Sequence, residues 1–290
     1  MAGRLAGTGS VTLTRTFLGA GIGLRAAHLA ALQERDARES AVLELTPSHF
    51  FAAPELLERV AEDRTIVLHD VFASLGTAAP LDLAHLDRVA AVAQRSAAVA
   101  YTEHLAMTRS PAGLDLGHLI PLPRTRAQLE VLIEHIHVVQ DRLSLPVALE
   151  LPTTTLTLTC DAELSEGEFV TALVEASACE LVLDLENLCI DAHNFPTTPT
   201  MRVADRLAAL PLAAVSHVHL AGGHTSGAWV IDSHAAPVSE DCYAWLAALR
   251  GRITPRTIIV ERDANMPGLD DLLDEASRAA AIWRGGPHVL

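Results

Sequence analysis

The sequence is poor in aromatic residues and in positive charge. Phe, Trp and Tyr make up 4% of the 290 residues, whereas apolar residues together make up 50%, so we expect a mainly aliphatic core. Lys and Arg number 21 against 36 Asp and Glu, which gives a formal net charge of −15. This balance argues against binding to nucleic acid or to an anionic membrane surface, because both require a basic face.

Cysteine pairs and long apolar runs are also missing. The four cysteines, Cys160, Cys179, Cys189 and Cys242, form no CxxC pair, which is typical of a reduced compartment. No run approaches the roughly 18 apolar residues of a membrane helix. The N-terminus has no continuous apolar segment ahead of a cleavage site. We therefore expect a cytoplasmic protein.

Several common catalytic motifs are absent as well. The chain has no GxSxG elbow, no GxxxxGK[ST] phosphate loop, no HExxH pair, and no GxGxxG opening its first helix. These absences disfavour serine hydrolases, P-loop nucleotidases, the common zinc proteases and dinucleotide-binding folds.

Apolar runs alternate with helical patterns along the chain. We predict strands at 21–24, 41–45, 65–69, 97–103, 147–150, 181–184, 216–220 and 257–261. Helices are predicted at 26–37, 54–62, 82–95, 124–143, 166–178, 200–209, 240–250 and 269–284. This order predicts an α/β fold, a single (β/α)8 barrel of the TIM type over 19–290, after a flexible lead-in at 1–18. A doubly wound open sheet is the main alternative.

The longest segments without a helical pattern follow predicted strands. They are 105–123, 151–164, 185–199 and 221–239. In a (β/α)8 barrel these segments form the rim at the carboxyl ends of the strands, where such enzymes keep their active sites. We therefore expect functional residues there.

Six successive strands, the third to the eighth, end in a residue that can bind a metal. These residues are His69, Glu103 or His104, Glu150, Asp184, His219 and Glu261. Asn187 and the Asp232–Ser233–His234 segment follow in rim segments. Nitrogen and oxygen donors without thiolate suit iron, manganese or zinc. The candidates exceed the three or four protein ligands of one catalytic ion, so the pattern predicts two or three ions.

Each candidate has a structural alternative when it is considered alone. A histidine at a strand end is more often a hydrogen-bonded structural residue, and His217 with His219 could be one ligand and one packing residue. Glu261 could pair with Arg262.

Arg25 and Glu44 lie on the same rim and are predicted to bind substrate, with a mutual salt bridge as the alternative. Asn194 and His224 are further substrate-binding candidates, which could equally be structural.

The segments that carry these residues also carry a family resemblance. They read GIGLR (21–25), LHDVFASLG (68–76), TEHLAM (102–107), LIPLP (119–123), ALELP (148–152), LVLDLENLCIDAHN (181–194), HVHLAGGH (217–224), IDSHAAPV (231–238) and IVERDANMP (259–267). In order and spacing the chain resembles the multinuclear non-haem iron-dependent oxidative enzymes, the methanobactin biosynthesis iron oxidase-like family of ribosomal peptide modification. The resemblance spans roughly residues 21–275.

The resemblance implies a TIM-type barrel that holds two or three iron ions (Fe2+/Fe3+) and uses O2 as co-substrate. It implies three ligand sets: His69, His104 and Glu150; Glu150 with Asp184, His219 and Glu261; and Asn187, Asp232 and His234. Glu103 and Asp263 would then lie behind the ligands, in a second layer. The implied reaction is hydrogen abstraction from carbon and multi-electron oxidation of a precursor peptide, often at cysteine.

The resemblance also implies a partner. Many relatives need a separate protein that recognises the leader of the precursor peptide, and this chain has no room for an appended recognition domain. Two departures concern substrate identity: family members usually have Glu-Asn after the second strand and at the fifth strand, where this chain has Ser48–His49 and Glu150–Leu151.

Two other functions remain open from the residues. A divalent-metal isomerase or hydrolase, like the sugar isomerases and phosphoesterases, uses the same kinds of ligand at strand ends. A non-catalytic metal-binding subunit of a peptide-maturation complex is the second alternative.

Overall fold

A computed structural model describes residues 15–154 and 162–285. Its strands, in chain order, are β1 (Gly19–Gly23), β2 (Val42–Leu45), β3 (Thr65–Asp70), β4 (Ala100–His104), β5 (Met107–Arg109), β6 (Asp115–Ile120), β7 (Val147–Glu150), β8 (Glu180–Asp184), β9 (Val215–Leu220), β10 (His224–Ser226), β11 (Trp229–Ile231) and β12 (Thr257–Val260). Eight of them form a closed parallel barrel in the order β1-β12-β9-β8-β7-β4-β3-β2. The predicted (β/α)8 barrel is therefore confirmed.

Helices alternate with the barrel strands. The α-helices are α1 (Leu29–Gln33), α2 (Pro54–Ala61), α3 (Leu83–Ser96), α4 (Arg126–Leu143), α5 (Glu166–Ser177), α6 (Leu185–Asn194), α7 (Val203–Ala209), α8 (Glu240–Ala248) and α9 (Leu269–Arg284). Short 3-10 helices lie at Ala26–His28, Ala37–Ser40, Pro47–Phe50, Pro199–Met201 and Leu212–Ala214. In the described residues no helix is both long and apolar enough to cross a bilayer.

Local sequence explains how these elements form. The barrel strands are short apolar runs, as expected for parallel strands that are covered on both faces. Helix α3 begins where the Asp82 side chain accepts hydrogen bonds from the backbone N–H groups of Ala84 and His85. Its residues Leu86, Val89 and Val92 recur at helical spacing and are buried in the core.

Three predicted segments differ from the structure. Residues 185–199 were expected to be non-helical, yet α6 begins directly after β8, because the Asp184 side chain caps it by accepting a hydrogen bond from the Asn187 N–H. The helix predicted at 26–37 is interrupted and is formed by α1 and two 3-10 helices. The helix predicted at 200–209 begins at Val203, after the 3-10 helix Pro199–Met201.

The rim carries two small antiparallel hairpins. Strands β5 and β6 pair within the segment that follows β4, and β10 and β11 pair within the segment that follows β9. Both segments were expected to be long rim connections, and the hairpins give them regular structure.

Most of the predicted lead-in lies outside the described residues, which begin at Arg15. The Arg15 Nε donates to Glu180 Oε1 at 2.9 Å, and the Phe17 ring contacts Trp283 with centroids 6.3 Å apart. The last residues of this segment therefore contact the barrel at β8 and α9.

Candidate metal centre

The carboxyl ends of the barrel strands bring histidines and carboxylates together. Four groups of three such residues have one potential ligand atom from each residue within 4.8 Å of the others. The groups are Glu44, His69 and His219; His69, His104 and Glu150; Glu150, Asp184 and His219; and Asp184, His234 and Glu261. We call these eight residues the rim cluster. His69, Glu150, Asp184 and His219 each belong to two groups, so the four groups form one continuous cluster.

Hydrogen bonds behind the rim cluster fix the ring of His69. The Thr102 hydroxyl donates to the Leu68 carbonyl at 3.2 Å, so its oxygen is left to accept from His69 Nδ1 at 2.8 Å. The proton of His69 therefore lies on Nδ1, and Nε2 faces the cluster, 4.0 Å from Glu150 Oε2. A partner that fixes the tautomer in this way is characteristic of metal-binding histidines.

His219 has a carboxylate on each side of its ring. Its Nε2 lies 3.0 Å from Glu44 Oε2, which accepts its proton. Its Nδ1 then presents a lone pair to Glu150 Oε2 at 3.0 Å and to Glu261 Oε2 at 3.1 Å. A lone pair that faces two carboxylates is favourable only when a proton or a cation lies between them.

His234 repeats this arrangement further out on the rim. Its Nδ1 lies 2.9 Å from Asp263 Oδ2, and its Nε2 lies 2.9 Å from Asp232 Oδ1. Asn187, in the first turn of α6, donates from Nδ2 to Glu150 Oε1 at 3.3 Å and to the Leu151 carbonyl at 3.2 Å. All nine residues predicted as ligands thus lie in or beside one cluster. Glu103 lies behind His104 as predicted for a second layer, whereas Asp263 contacts His234 from the exposed side and lines the cavity.

Many polar atoms of this region have no hydrogen-bond partner. Among the described residues, eight of the fifteen buried side-chain atoms without a partner belong here. They are Glu44 Oε1, His104 Nδ1, Glu150 Oε2, Asp184 Oδ2, Asn187 Oδ1, His219 Nδ1, Asp232 Oδ1 and His234 Nε2. Buried polar atoms are normally hydrogen-bonded. Their concentration at one rim indicates that these groups fit one or more cations.

The electrostatics of the cluster favour positive charge. Burial opposes protonation of His219, but the carboxylates of Glu44, Glu261 and Glu150 outweigh it and raise its pKa well above the ordinary value. Burial together with the charge of Glu150 raises the pKa of Asp184 well above its usual range. Burial opposes ionisation of Glu261, but His219 and His234 outweigh it and lower its pKa well below the usual range. In the absence of a metal, the protons on Asp184 and His219 therefore offset part of the negative charge.

The pKa values of His104 and Glu103 are raised as well. Burial lowers the basicity of His104, but the Glu150 carboxylate and then Glu103 raise its pKa to about 9. Burial raises the pKa of Glu103 to about 7. Glu103 accepts hydrogen bonds from the backbone N–H groups of Ala73 and His104, so it holds β4 and the segment after β3 in place behind the ligand.

The cluster opens into a cavity of about 610 Å³. His69, His104, Glu150 and Glu261 lie in its wall with Asn187, Asp232 and His234, and both rim hairpins contribute to it. A cavity of this size is typical of a ligand site. The rim cluster is therefore accessible to a bound molecule.

The residues predicted to bind substrate take different positions. Arg25 pairs with Asp263, and its Nη2 lies 2.6 Å from Oδ1. Glu44 is instead bonded to His219, so the alternative of an Arg25–Glu44 salt bridge is wrong. Asn194 lines the cavity, but its amide is hydrogen-bonded to the Val230 backbone. His224 is exposed, and its Nδ1 lies 2.9 Å from Ser233 Oγ. Their roles toward a substrate stay predictions.

The sequence predicts a different role for one member of the cluster and does not separate two histidines. Glu44 was placed on the correct rim but was predicted to bind substrate or to pair with Arg25; in the structure it is buried and belongs to a group with His69 and His219. His217 lies one layer below His219, where its Nδ1 is 2.7 Å from Thr257 Oγ1. Burial lowers the pKa of His217 to about 3, so it is a neutral packing residue.

A buried ion pair supports the segment that follows β7. Asp191 on α6 accepts hydrogen bonds from Thr154 N at 2.8 Å and Oγ1 at 2.9 Å, and from Arg206 Nη1 at 2.6 Å. Arg206 also bonds Glu166. The neighbouring Thr153 donates to Asp232 Oδ2 at 3.3 Å. The ion pair thus fixes a segment that contacts the outer part of the site.

Replacing Arg206 with alanine is expected to lower the free energy of unfolding by about 3–5 kcal/mol, because the fully buried Asp191 carboxylate loses its cation. Urea denaturation followed by circular dichroism measures the change. Arg202→Ala removes an exposed arginine that pairs with Asp205 on the surface, and its effect should stay below about 1 kcal/mol. Equal effects of the two substitutions would contradict the structural role of Arg206.

Comparisons with known proteins identify relatives over almost the whole chain. Residues 19–284 match the family model described as RiPP precursor modification enzyme MbnB/TglH/ChrH. A UPF0276 protein of Caulobacter vibrioides is 31% identical over 274 residues, which cover 93% of this chain and 96% of the relative. A UPF0276 protein of Chromobacterium violaceum is 35% identical over 269 residues, which cover 91% and 95%.

Solved structures with low identity share the barrel. Endonuclease IV from Thermus thermophilus superposes with a TM-score of 0.55 at 17% identity, over 92% of this chain and 98% of that one. A xylose isomerase domain protein from Planctomyces limnophilus gives a TM-score of 0.54 at 13% identity, over 92% and 94%. At these identities the likeness concerns the fold alone.

Proposed function

The chain belongs to the MbnB/TglH/ChrH family of RiPP precursor modification enzymes, and on this basis we propose that it is an iron-dependent oxidase of a ribosomally made precursor peptide. The observation that carries the proposal is the rim cluster, in which overlapping groups of histidines and carboxylates point unpaired atoms at one another. Donors of this kind, without thiolate, suit iron as well as manganese or zinc.

The proposed ligands fall into three overlapping sets. His69, His104 and Glu150 would hold one ion, and Glu150 would be shared with a second ion held by Asp184, His219 and Glu261. Asn187, Asp232 and His234 would hold a third. Bound iron would supply the redox chemistry with O2 as co-substrate, which no side chain of this cavity supplies alone.

The chain itself contributes ligand orientation and a site for the peptide. Thr102, Glu44 and Asp263 hold the rings of His69, His219 and His234 by hydrogen bonds, so that the other ring nitrogen faces the cluster. Such outer partners typically change metal affinity or activity by about 10–100-fold when removed. The cavity above the cluster would hold the reacting residue of the peptide.

Anaerobic purification followed by metal analysis tests the proposal. We expect at least two iron ions per chain, in line with the three ligand sets. Candidate precursor peptides encoded near this gene would be co-expressed with the chain, with and without a neighbouring partner protein that recognises the leader. A mass change that depends on this chain and on O2 is the expected result.

Two results would contradict the proposal. One is less than one iron per chain with zinc as the main metal and turnover that does not need oxygen; this would favour a divalent-metal isomerase or hydrolase. The other is tight binding of a partner protein that is unchanged by alanine at both Glu150 and His219, with no modified peptide; this would favour a non-catalytic subunit.

A further inference from the structure

The hairpin of β10 and β11 is fixed to α6 by hydrogen bonds. Asn194 Nδ2 donates to the Val230 carbonyl at 2.8 Å, and Val230 N donates to Asn194 Oδ1 at 2.9 Å. Gly223, just before the hairpin, donates its N–H to Glu186 Oε1 at 2.9 Å. The Phe195 ring meets Trp229 edge-on, with centroids 5.9 Å apart. The hairpin is therefore held in one position before any ligand binds.

This fixed hairpin exposes two large apolar side chains. Trp229 is 50% exposed and Ile231 is 42% exposed, and because they are two residues apart on one strand they lie on the same face. Both line the cavity above the rim cluster, as does Phe72, which is 41% exposed. The described residues have seven exposed large apolar side chains, and three of them line this one cavity. Such a concentration marks a binding surface.

Strand β6 also lines the cavity. Asp115, Gly117, His118 and Leu119 line the cavity there. Within the described part of the chain the lining includes no arginine or lysine, whereas Asp115 and Asp263 lie in the outer wall. Asp263 is already paired with Arg25 and His234, so Asp115 is the carboxylate that would repel a carboxylate of a bound molecule here, whereas an apolar or basic group would not be repelled.

We propose that Trp229 and Ile231 form a preformed apolar lip that binds an extended segment of the precursor peptide and selects an apolar side chain next to the reacting residue. The inference rests on the proposed function, since it names the substrate of the same site. A cavity of about 610 Å³ admits a few residues of an extended chain and no folded domain. The lip and the rim cluster line the same cavity. An apolar side chain bound at the lip and the reacting residue at the cluster would therefore occupy one cavity.

The size of the effect follows from the chemistry of the lip. Tryptophan supplies large contact area with little loss of side-chain freedom, and it is enriched among residues that dominate binding energy. Anchoring by Asn194 removes the need to order the hairpin on binding, which favours affinity. Trp229 is therefore expected to account for a large share of peptide binding.

Fluorescence polarisation with two labelled synthetic peptides tests the inference. Both are amidated ten-residue peptides with a central cysteine, flanked by leucine in one and by glutamate in the other. With iron-loaded protein under anaerobic conditions, the leucine peptide should bind about tenfold or more tightly than the glutamate peptide. Trp229→Ala and Ile231→Thr should each remove most of this preference. Ile231→Thr keeps a β-branched residue, so the hairpin is retained.

Leu18→Ala is the matched control, because Leu18 is an exposed apolar residue before β1, at the opposite end of the barrel from the cavity. It should leave both affinities unchanged. Equal binding of the two peptides, no binding of either up to about 1 mM, or full affinity in both lip variants would overturn the inference.

The inference and the proposed function fail in different ways. If the chain lacks iron and modifies no peptide, yet the leucine preference persists and depends on Trp229, the proposed function fails and the peptide-binding lip stands. If a peptide is oxidised and its KM is unchanged in both lip variants, the lip is overturned and the function stands.

Discussion

Substituting Glu150 with glutamine is expected to lower peptide modification by about 100-fold or more and to reduce bound iron to less than half. Glu150 belongs to two of the four ligand groups, and its Oε2 is buried without a hydrogen-bond partner. Glutamine keeps the size of the side chain but removes the negative charge that two ions would share. Removal of outer partners alone changes metal sites by about 10–100-fold, so loss of a shared ligand should change them more.

Metal analysis and mass spectrometry of the peptide product measure both effects. Glu130→Gln is the control, since Glu130 is an exposed glutamate on α4 that belongs to none of the ligand groups and does not line the cavity. We expect it to leave iron content and product unchanged. Normal iron content together with normal turnover in Glu150→Gln would refute the assignment of Glu150 as a shared ligand.

Removing the metal is expected to lower stability substantially. A ligand that binds only the folded state stabilises it by about 4 kcal/mol at a free concentration 1,000 times its Kd, so two such ions contribute about 8 kcal/mol. Without them the rim cluster keeps buried polar atoms that have no hydrogen-bond partner, and protons alone offset its negative charge. Chelation should therefore lower the melting midpoint by about 10 °C or more, as measured by calorimetry. An unchanged midpoint would contradict a metal-filled cluster.

The chelated protein should also lose stability as pH rises from 6 to 9. The pKa of His104 in the folded state is about 9, above its ordinary 6.5, so the stabilisation from its proton is complete below pH 6.5 and is lost as pH rises through 9. Burial raises the pKa of Glu103 from 4.5 to about 7, so the stabilisation from its proton is lost between pH 4.5 and about 7 and adds to the loss at the lower end of the range from 6 to 9. Metal replaces these protons, so the iron-loaded protein should show a much weaker pH dependence.

Unfolding by urea at pH 6, 7.5 and 9, with and without chelator, separates the two states. Stability of the chelated protein that rises with pH would contradict the proton arrangement described for His104 and Glu103.

The barrel and most of its cluster were predictable from sequence because both follow from periodicity. Short apolar runs such as Ile66–Val67–Leu68 predict buried parallel strands, and closure of those strands brings His69, Glu150 and Glu261 together whatever their separation in the chain. The prediction needed only the place where each strand ends. Asn187, Asp232 and His234 lie in rim segments, and their ligand role was predicted from the family resemblance and not from periodicity.

The errors and omissions concern features that depend on atomic detail. Asp184 ends a strand, but whether its carboxylate also caps a helix depends on the backbone turn that follows, so α6 was missed. His217 and His219 share a strand face, and only the three-dimensional layering shows that one lies below the cluster. Asn194 satisfies the backbone of Val230, a contact between two rim segments that no pattern in the sequence indicates.

Closure of the barrel joins the first strand to the last, since β1 pairs with β12, and Glu261 follows β12 directly. Ribosomes make the chain from its N-terminus, so His69, His104 and Glu150 emerge well before the residue that completes the cluster. A nascent chain on the ribosome cannot form the full ligand set. On the proposed function, the ligand set that contains Glu261 is therefore completed only when β12 joins the barrel, so binding of the second ion requires barrel closure.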